Sequence, residues 1–221
     1  MVIAKEPVPG RVKTRLTPPY TPEQAARLAE ASLADTLRTG LRIPARRRVL
    51  ALAGRPGPWL PTGWEVVPQG TGGLDERIAT ALTGCSGPTL LLGMDTPQIT
   101  PELLAPATAP GAGAPDAAWF GPARDGGFWA LGLGEPDPEL VRGVPMSTPD
   151  TGAAQRRRLV EAGLRVRDLP ELEDMDTVAE ADRIAARVAP DSRFAEAWGH
   201  TLPGAPAAGA PRADPGEVGG G

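Results

Sequence analysis

A chain of 221 residues with a net charge of −4 can bury one sizeable core, and it carries no positive excess that would favour a nucleic-acid backbone. Its single cysteine, Cys85, excludes an internal disulfide and a thiolate zinc site, and its single histidine, His200, leaves little for Ser-His-Asp or Cys-His chemistry, so catalysis falls to carboxylates, lysines, arginines and a metal. No stretch is apolar and long enough to span a membrane and no signal-peptide pattern opens the chain, which makes a cytoplasmic protein without a membrane partner the expectation.

In chain order, Val2-Ile3-Ala4 reads as the end of a strand, short for a central one, as though the chain begins inside its first β element. Lys5 to Tyr20 is a loop punctuated by Pro7, Pro9, Gly10, Pro18 and Pro19. A helix then opens on Thr21 as N-cap, with Pro22 at the first helical position and Gln24 completing a capping box. Leu28, Ala29, Leu33 and Leu37 form its apolar stripe, and Gly40 is the expected stop. Arg48 to Ala53 and Trp64 to Val67 read as strands, followed by a glycine-rich turn, Gln69 to Gly73, and a helix from Leu74 to Leu82.

Thr89 to Gly93 is a continuous apolar run, the pattern of a strand covered on both faces. Thr100-Pro101-Glu102 opens another capped helix. Ala117 to Gly121 and Gly127 to Leu133 read as strands, Asp150 to Ala162 as a helix, Leu164 to Leu169 as a strand and Thr177 to Val188 as a helix. Strands alternating with helices predict a three-layer α/β fold with a mostly parallel, open sheet, in which ligands bind beyond the carboxyl ends of the strands. One domain over residues 1–200 is expected. The Pro-, Gly- and Ala-rich segment 201–221 cannot build a core and reads as a disordered tail. The short arginine runs at Arg46-Arg47-Arg48 and Arg156-Arg157-Arg158 read as solvated faces, and no apolar stripe is left over to demand a partner chain.

Residues at strand ends are therefore the ones that can carry chemistry. The loop after the first strand holds Arg11, Lys13 and Arg15 beside a flexible Gly10. It can wrap phosphate, with Lys as a point charge and Arg as a fork, or it can be a basic surface loop. It is not a Walker A loop, because no glycine precedes Lys13-Thr14. Asp95, in Gly93-Met94-Asp95-Thr96-Pro97, falls at the end of the buried strand, where it can hold a divalent cation that bridges a diphosphate, or simply open a turn. Asp125, before Gly126-Gly127, is either a hairpin turn or a carboxylate set beside backbone left bare for a ligand. The Gln69-Gly70-Thr71-Gly72-Gly73 turn precedes a helix N-terminus and can receive an anion. In Glu173-Asp174-Met175-Asp176-Thr177, Asp176 reads as the cap of the following helix and Asp174 as the freer carboxylate.

These segments occur together and in order: Lys-x-Pro-x-Pro-Gly-x-Val-Lys-Thr-Arg-Leu, Gln-Gly-x-Gly, Gly-x-Asp-x-Pro, Gly-Pro-x-x-Asp-Gly-Gly and Asp-x-Asp-Thr. Over about Val2 to Val188 the chain thereby resembles a small bacterial family of glycosyltransferase-A-fold proteins, some of them arsenosugar-biosynthesis-type glycosyltransferases. More distantly it is similar to 2-phospho-L-lactate guanylyltransferase and molybdenum-cofactor guanylyltransferase. The resemblance implies a nucleotide-diphospho-sugar-transferase fold whose first loop, here Gly10, Arg11, Lys13 and Arg15 with Lys5 at its base, holds nucleotide phosphates. Gln69, Gly70 and Gly72 join that nucleotide-binding set. Asp95 is implied as the Mg²⁺ or Mn²⁺ ligand, completed by Asp174 or Asp176. Asp125, on the acceptor or second-metal side, and Lys13 are the implied catalytic residues. Two departures stand out. Gly72-Gly73-Leu74-Asp75-Glu76-Arg77 replaces the family's Gly-Asp-Leu-Gly-Glu-Arg, and Met146 stands where an aromatic often precedes the Ser-Thr pair.

The functional expectation is a metal-dependent transferase that moves a sugar from a nucleotide-diphosphate sugar to a small-molecule acceptor. Two alternatives stay open: a guanylyltransferase-like nucleotidyl transfer from a nucleoside triphosphate to a phosphate-bearing acceptor, with release of pyrophosphate, and a non-catalytic nucleotide-binding module.

Overall fold

Residues 1–201 are described by a computed structural model; from residue 202 on, the segment read as a tail lies outside the described residues. The strands are β1 (Val2–Lys5), β2 (Val49–Ala53), β3 (Glu65–Pro68), β4 (Thr89–Leu92), β5 (Ala117–Pro122), β6 (Phe128–Leu133) and β7 (Arg165–Asp168). They form one sheet in the order β3-β2-β1-β4-β6-β5-β7. All pairs are parallel except β4 with β6 and β5 with β6, so β6 alone runs against the rest.

The helices are α1 (Pro22–Arg42), α2 (Leu74–Thr83), α3 (Pro101–Thr108), α4 (Thr151–Glu161), α5 (Val178–Ala185) and α6 (Arg193–Gly199). Thr21 caps α1 in the expected box with Gln24. Gly40, expected as its stop, lies inside the helix instead. A Cβ there would sit 2.6 Å from the Trp64 ring, so the glycine makes room for an indole. The helix ends at Arg42 because Pro44 holds Ile43 extended, at ψ 145°. α6 has no counterpart among the helices read from the sequence; Ser192 caps it, and Asp35 of α1 accepts the Arg193 and Phe194 amides.

Both faces of the sheet are covered. Val2, Ala4, Leu50, Leu52 and Leu92 pack with Leu33 and Leu37 of α1 and Leu104 of α3. Leu91, Phe120, Leu131 and Leu133 pack with Ile78 and Leu82 of α2 and Leu159 of α4. A third cluster joins Leu16 of the first loop, Leu28 of α1, Met175, Ile184 of α5, and Phe194 and Trp198 of α6.

This topology positions the site. The chain leaves β1 for β2 on one side, while β4 lies on the other, so the strand order reverses between β1 and β4. A crevice opens where the loops after β1 and β4 diverge, which is where open α/β sheets bind ligands. Because β6 is antiparallel, the β5–β6 turn reaches the same edge, and the segment after β7 returns to it as well.

Candidate functional site

The crevice is a cleft of 630 Å³ bounded by the first loop, the end of β4, the β5–β6 turn, the start of α2, the segment before α4 and residues Asp174 and Asp176. Of the residues singled out in the sequence, it brings together Lys5, Arg11, Lys13, Arg15, Gln69, Asp95, Asp125, Asp174 and Asp176. Gly10, Gly70 and Gly72 are not on its wall. They adopt φ of 75°, 81° and 94°, and shape the turns that carry their neighbours.

Lys13 is at the centre. Its ammonium lies 2.9 Å from Asp95 Oδ1 and 3.0 Å from Asp176 Oδ1, with only 6 % of the side chain exposed. Burial alone would lower its pKa; the facing carboxylates of Asp95 and Asp176 outweigh that and hold it above the ordinary lysine value. Its backbone is left-handed, φ 49° and ψ 38°, which strains a residue with a Cβ by about 1–2 kcal/mol. Anchorage comes from both flanks: Leu16 and Met175 are fully buried in one cluster, which presses the first loop against the 174–176 segment. The Met175 amide donates to Asp95 O at 3.0 Å and ties that segment to the end of β4.

Asp176 is not the helix cap that its position suggested. Thr177 caps α5, boxed by Glu180, and the Asp176 carboxylate is engaged by Lys13 and by Arg15 Nη1 at 3.0 Å. The Arg15 pair is 75 % exposed on the arginine side, so water screens it and the contact adds little beside the Lys13 pair.

Asp174 is the freer carboxylate. It accepts the Thr96 hydroxyl at 2.7 Å and makes no ion pair among the described residues. Burial pushes its carboxyl up to about 6; Thr96 and Lys13 pull it down, while the neighbouring charges of Asp95 and Asp125 add to the rise. Asp125 holds its own turn, accepting the Gly127 amide on Oδ1 at 2.8 Å. Gly126 has φ 88° and its missing Cβ lets the Pro149 backbone pass, so the two glycines serve the hairpin and also its contact with the segment before α4.

Gln69 lines the cleft, yet its polar atoms are engaged. It is 3 % exposed, its amide donates to Ala4 O and Ala51 O, and its carbonyl accepts Arg77 Nη1 at 3.2 Å. It joins β1 to β2 and seats Arg77 on the wall. The sequence reading did not single out Thr96, Arg77, Phe128 or Ser147-Thr148. Thr96 carried a signal, since it follows Asp95 directly; Ser147, at φ 59°, did not.

A divalent cation suits this donor set. Asp95 and Asp174 are carboxylates that oppose each other electrostatically, the situation a bound cation relieves. Among the described residues no group of three or more His, Cys, Asp or Glu has the spacing of a metal cage. Mg²⁺ commonly takes one or two carboxylates and completes its shell with phosphate and water.

Compared with solved structures, the chain is similar to a protein from Desulfovibrio desulfuricans G20 described as a nucleotide-diphospho-sugar transferase, at 24% identity and a TM-score of 0.79 over 90% of this chain and 93% of that one. That likeness shows the fold. It is also similar to 2-C-methyl-D-erythritol 4-phosphate cytidylyltransferase from Thermus thermophilus, at 14% identity and a TM-score of 0.48, over 89% of this chain and 98% of that one. No curated protein matches it. A family model matches residues 27–148, more than half of the chain, and the protein therefore belongs to the family described as "Uncharacterized protein conserved in bacteria (DUF2064)".

Proposed function

We propose that this protein is a metal-dependent transferase that moves a sugar from a nucleoside-diphosphate sugar to a small-molecule acceptor. The observation that carries the reading is the meeting, in one cleft at the β1–β4 reversal, of the cationic first loop with Asp95, Asp174 and Asp125. Lys5 and Arg11 form no ion pair among the described residues and are the groups available to phosphate oxygens, with Lys13 behind them. Asp95 and Asp174 would hold Mg²⁺ or Mn²⁺. When bound, that ion supplies neutralisation of charge on the departing diphosphate.

The chain's own residues do the rest. Lys5 and Arg11 orient the diphosphate. Asp125 accepts a proton from the acceptor hydroxyl through its free oxygen. The acceptor oxygen forms a bond to the anomeric carbon, the bond from that carbon to the diphosphate breaks, and the nucleoside diphosphate leaves with the electron pair. Lys13, pinned between two carboxylates, positions Asp95 and Asp176.

Nucleotidyl transfer is the second reading, favoured by the number of cations on the first loop. Two of them, Lys13 and Arg15, are already paired with Asp95 and Asp176, which leaves a positive charge suited to a diphosphate better than to a triphosphate. Product analysis separates the two readings. Release of a nucleoside diphosphate from a nucleotide sugar supports the first, and release of pyrophosphate from a triphosphate supports the second. Asp95→Ala is expected to abolish metal-dependent nucleotide binding, measured by calorimetry, while the circular dichroism spectrum stays that of a folded domain. Normal Mg²⁺–nucleotide binding by this variant would overturn the proposal. Absence of any metal-dependent response in the native chain would leave a binding-only module or another ligand altogether.

A further inference from the structure

The cleft is lopsided in charge. Its cations lie on the β1 side: Lys5, Arg11, Lys13 and Arg15 on the first loop, and Arg77, which is tied through Gln69 to the end of β1. The opposite wall comes from the start of β6 and the segment before α4. Among the described residues it carries no cation. It presents Phe128 and Met146, both packed at their backs against the core, and the hydroxyls of Ser147, Thr148 and Thr151, with Asp125 at its margin.

This wall is built rather than incidental. The Thr148 amide donates to Thr151 Oγ1 at 3.1 Å, and the Gly152 amide donates to Gly126 O at 2.7 Å, which locks the start of α4 to the Asp125 turn. A Cβ on Gly152 would sit 2.6 Å from Gly127 O, so the close approach depends on that glycine. Ser147 takes φ 59°, a conformation uncommon for a residue with a side chain, at the point where the chain turns along the wall.

We infer that this wall is the acceptor subsite and that it takes an uncharged, hydroxyl-bearing molecule with an apolar face, not a phosphate, phosphonate or carboxylate. The inference rests on the sugar-transferase reading above and names its acceptor class. An apolar face buries against Phe128 and Met146 and releases water. The hydroxyls of Ser147 and Thr148 can bond neutral polar groups, and Asp125 takes a hydroxyl proton. An anion placed there would face Asp125, Asp95 and Asp174 with no cation on its own side. One unscreened like-charge contact at close range lowers affinity by roughly a hundredfold to a thousandfold.

The test uses the full chain with Mn²⁺ and whichever of UDP, GDP, CDP or ADP it binds tightest. If none binds with Mn²⁺, the transferase reading itself fails, and this inference falls with it. With the nucleotide in place, phenyl β-D-glucopyranoside and phenyl phosphate are titrated separately by calorimetry. The glucoside is expected to bind, and phenyl phosphate to bind at least about tenfold more weakly. Thr148→Lys, at an exposed rim position, is expected to raise phenyl phosphate affinity about tenfold while Mn²⁺–nucleotide affinity stays within about twofold. Binding of phenyl phosphate as tight as the glucoside, binding of neither probe, or a probe preference unchanged in Thr148→Lys would each overturn the inference and leave the nucleotide reading standing.

Discussion

Lys13 answers two demands at once: it closes a buried ion-pair network and stands behind the phosphate-facing loop. Replacing it with Ala removes charged hydrogen bonds to Asp95 and Asp176, whose side chains are 39 % and 34 % exposed and can rehydrate. Lys13→Ala is therefore expected to weaken nucleotide binding by about 1–3 kcal/mol and to destabilise the fold by a similar amount, not by the larger figure for an orphaned buried charge. Calorimetry with chemical denaturation checks both. At Asp174 the sign of the pH effect is opposite to that of an ordinary surface aspartate. Its pKa rises from 3.8 to about 6 on folding, so its contribution favours the fold at low pH and is lost as pH rises through about 6. Subtracting the melting profile of Asp174→Asn from that of the metal-free native chain, between about pH 5 and 7.5, should leave a downward slope with rising pH. A flat difference would mean that Asp174 is not desolvated.

Between elements, the site depends on packing that no single motif carries. Met175 is fully buried between Asp174 and Asp176 and shares its cluster with Leu16, three residues beyond Lys13. Met175→Ala is expected to cost about 2–5 kcal/mol and to loosen Lys13 from Asp176, so the stability loss should come with weaker nucleotide binding. An equally buried residue remote from the cleft, such as Phe194, is the comparison; Phe194→Ala should destabilise while nucleotide affinity of the folded fraction holds. The arginine runs belong to this scale as well. Arg47 forks onto Glu65, Arg48 caps the end of α1 through Gly40 O and Ile43 O, and Arg156 pairs with Asp168. They brace neighbouring elements on the surface, in line with reading them as solvated faces.

For the molecule as a whole, no helix among the described residues is long and apolar enough to cross a membrane, and the charge balance of −4 gives no general attraction to a polyanion. Ligand affinity must then come from the cleft. At about a hundred times its dissociation constant a ligand stabilises the native state by about 2.7 kcal/mol, which for a chain of this size raises the melting temperature by roughly 5–10 °C. Such a shift is expected with Mn²⁺ and the preferred nucleoside diphosphate together, and chelation by EDTA should remove it. A shift of the same size in EDTA would separate nucleotide binding from the carboxylates.

Much of this architecture is legible in the residues themselves because the signals are local. Periodicity separates strands from helices, Thr21 with Gln24 and Thr100 with Pro101 mark helix starts, and glycine with proline mark the strand ends where Lys13, Asp95 and Asp125 lie. Tertiary structure alone decided which carboxylate is free. Asp174 and Asp176 look alike in sequence, but the Leu16–Met175 cluster brings the first loop to Asp176 and leaves Asp174 with only the Thr96 hydroxyl. Gly40 reads as a helix stop and is in fact a seat for Trp64, and Gln69 reads as part of an anion turn and is in fact a staple between strands. The physical reason is common to all of these. Backbone preference and apolar period act over a few residues, whereas the charge state and availability of a side chain depend on groups that only folding brings within a few ångströms.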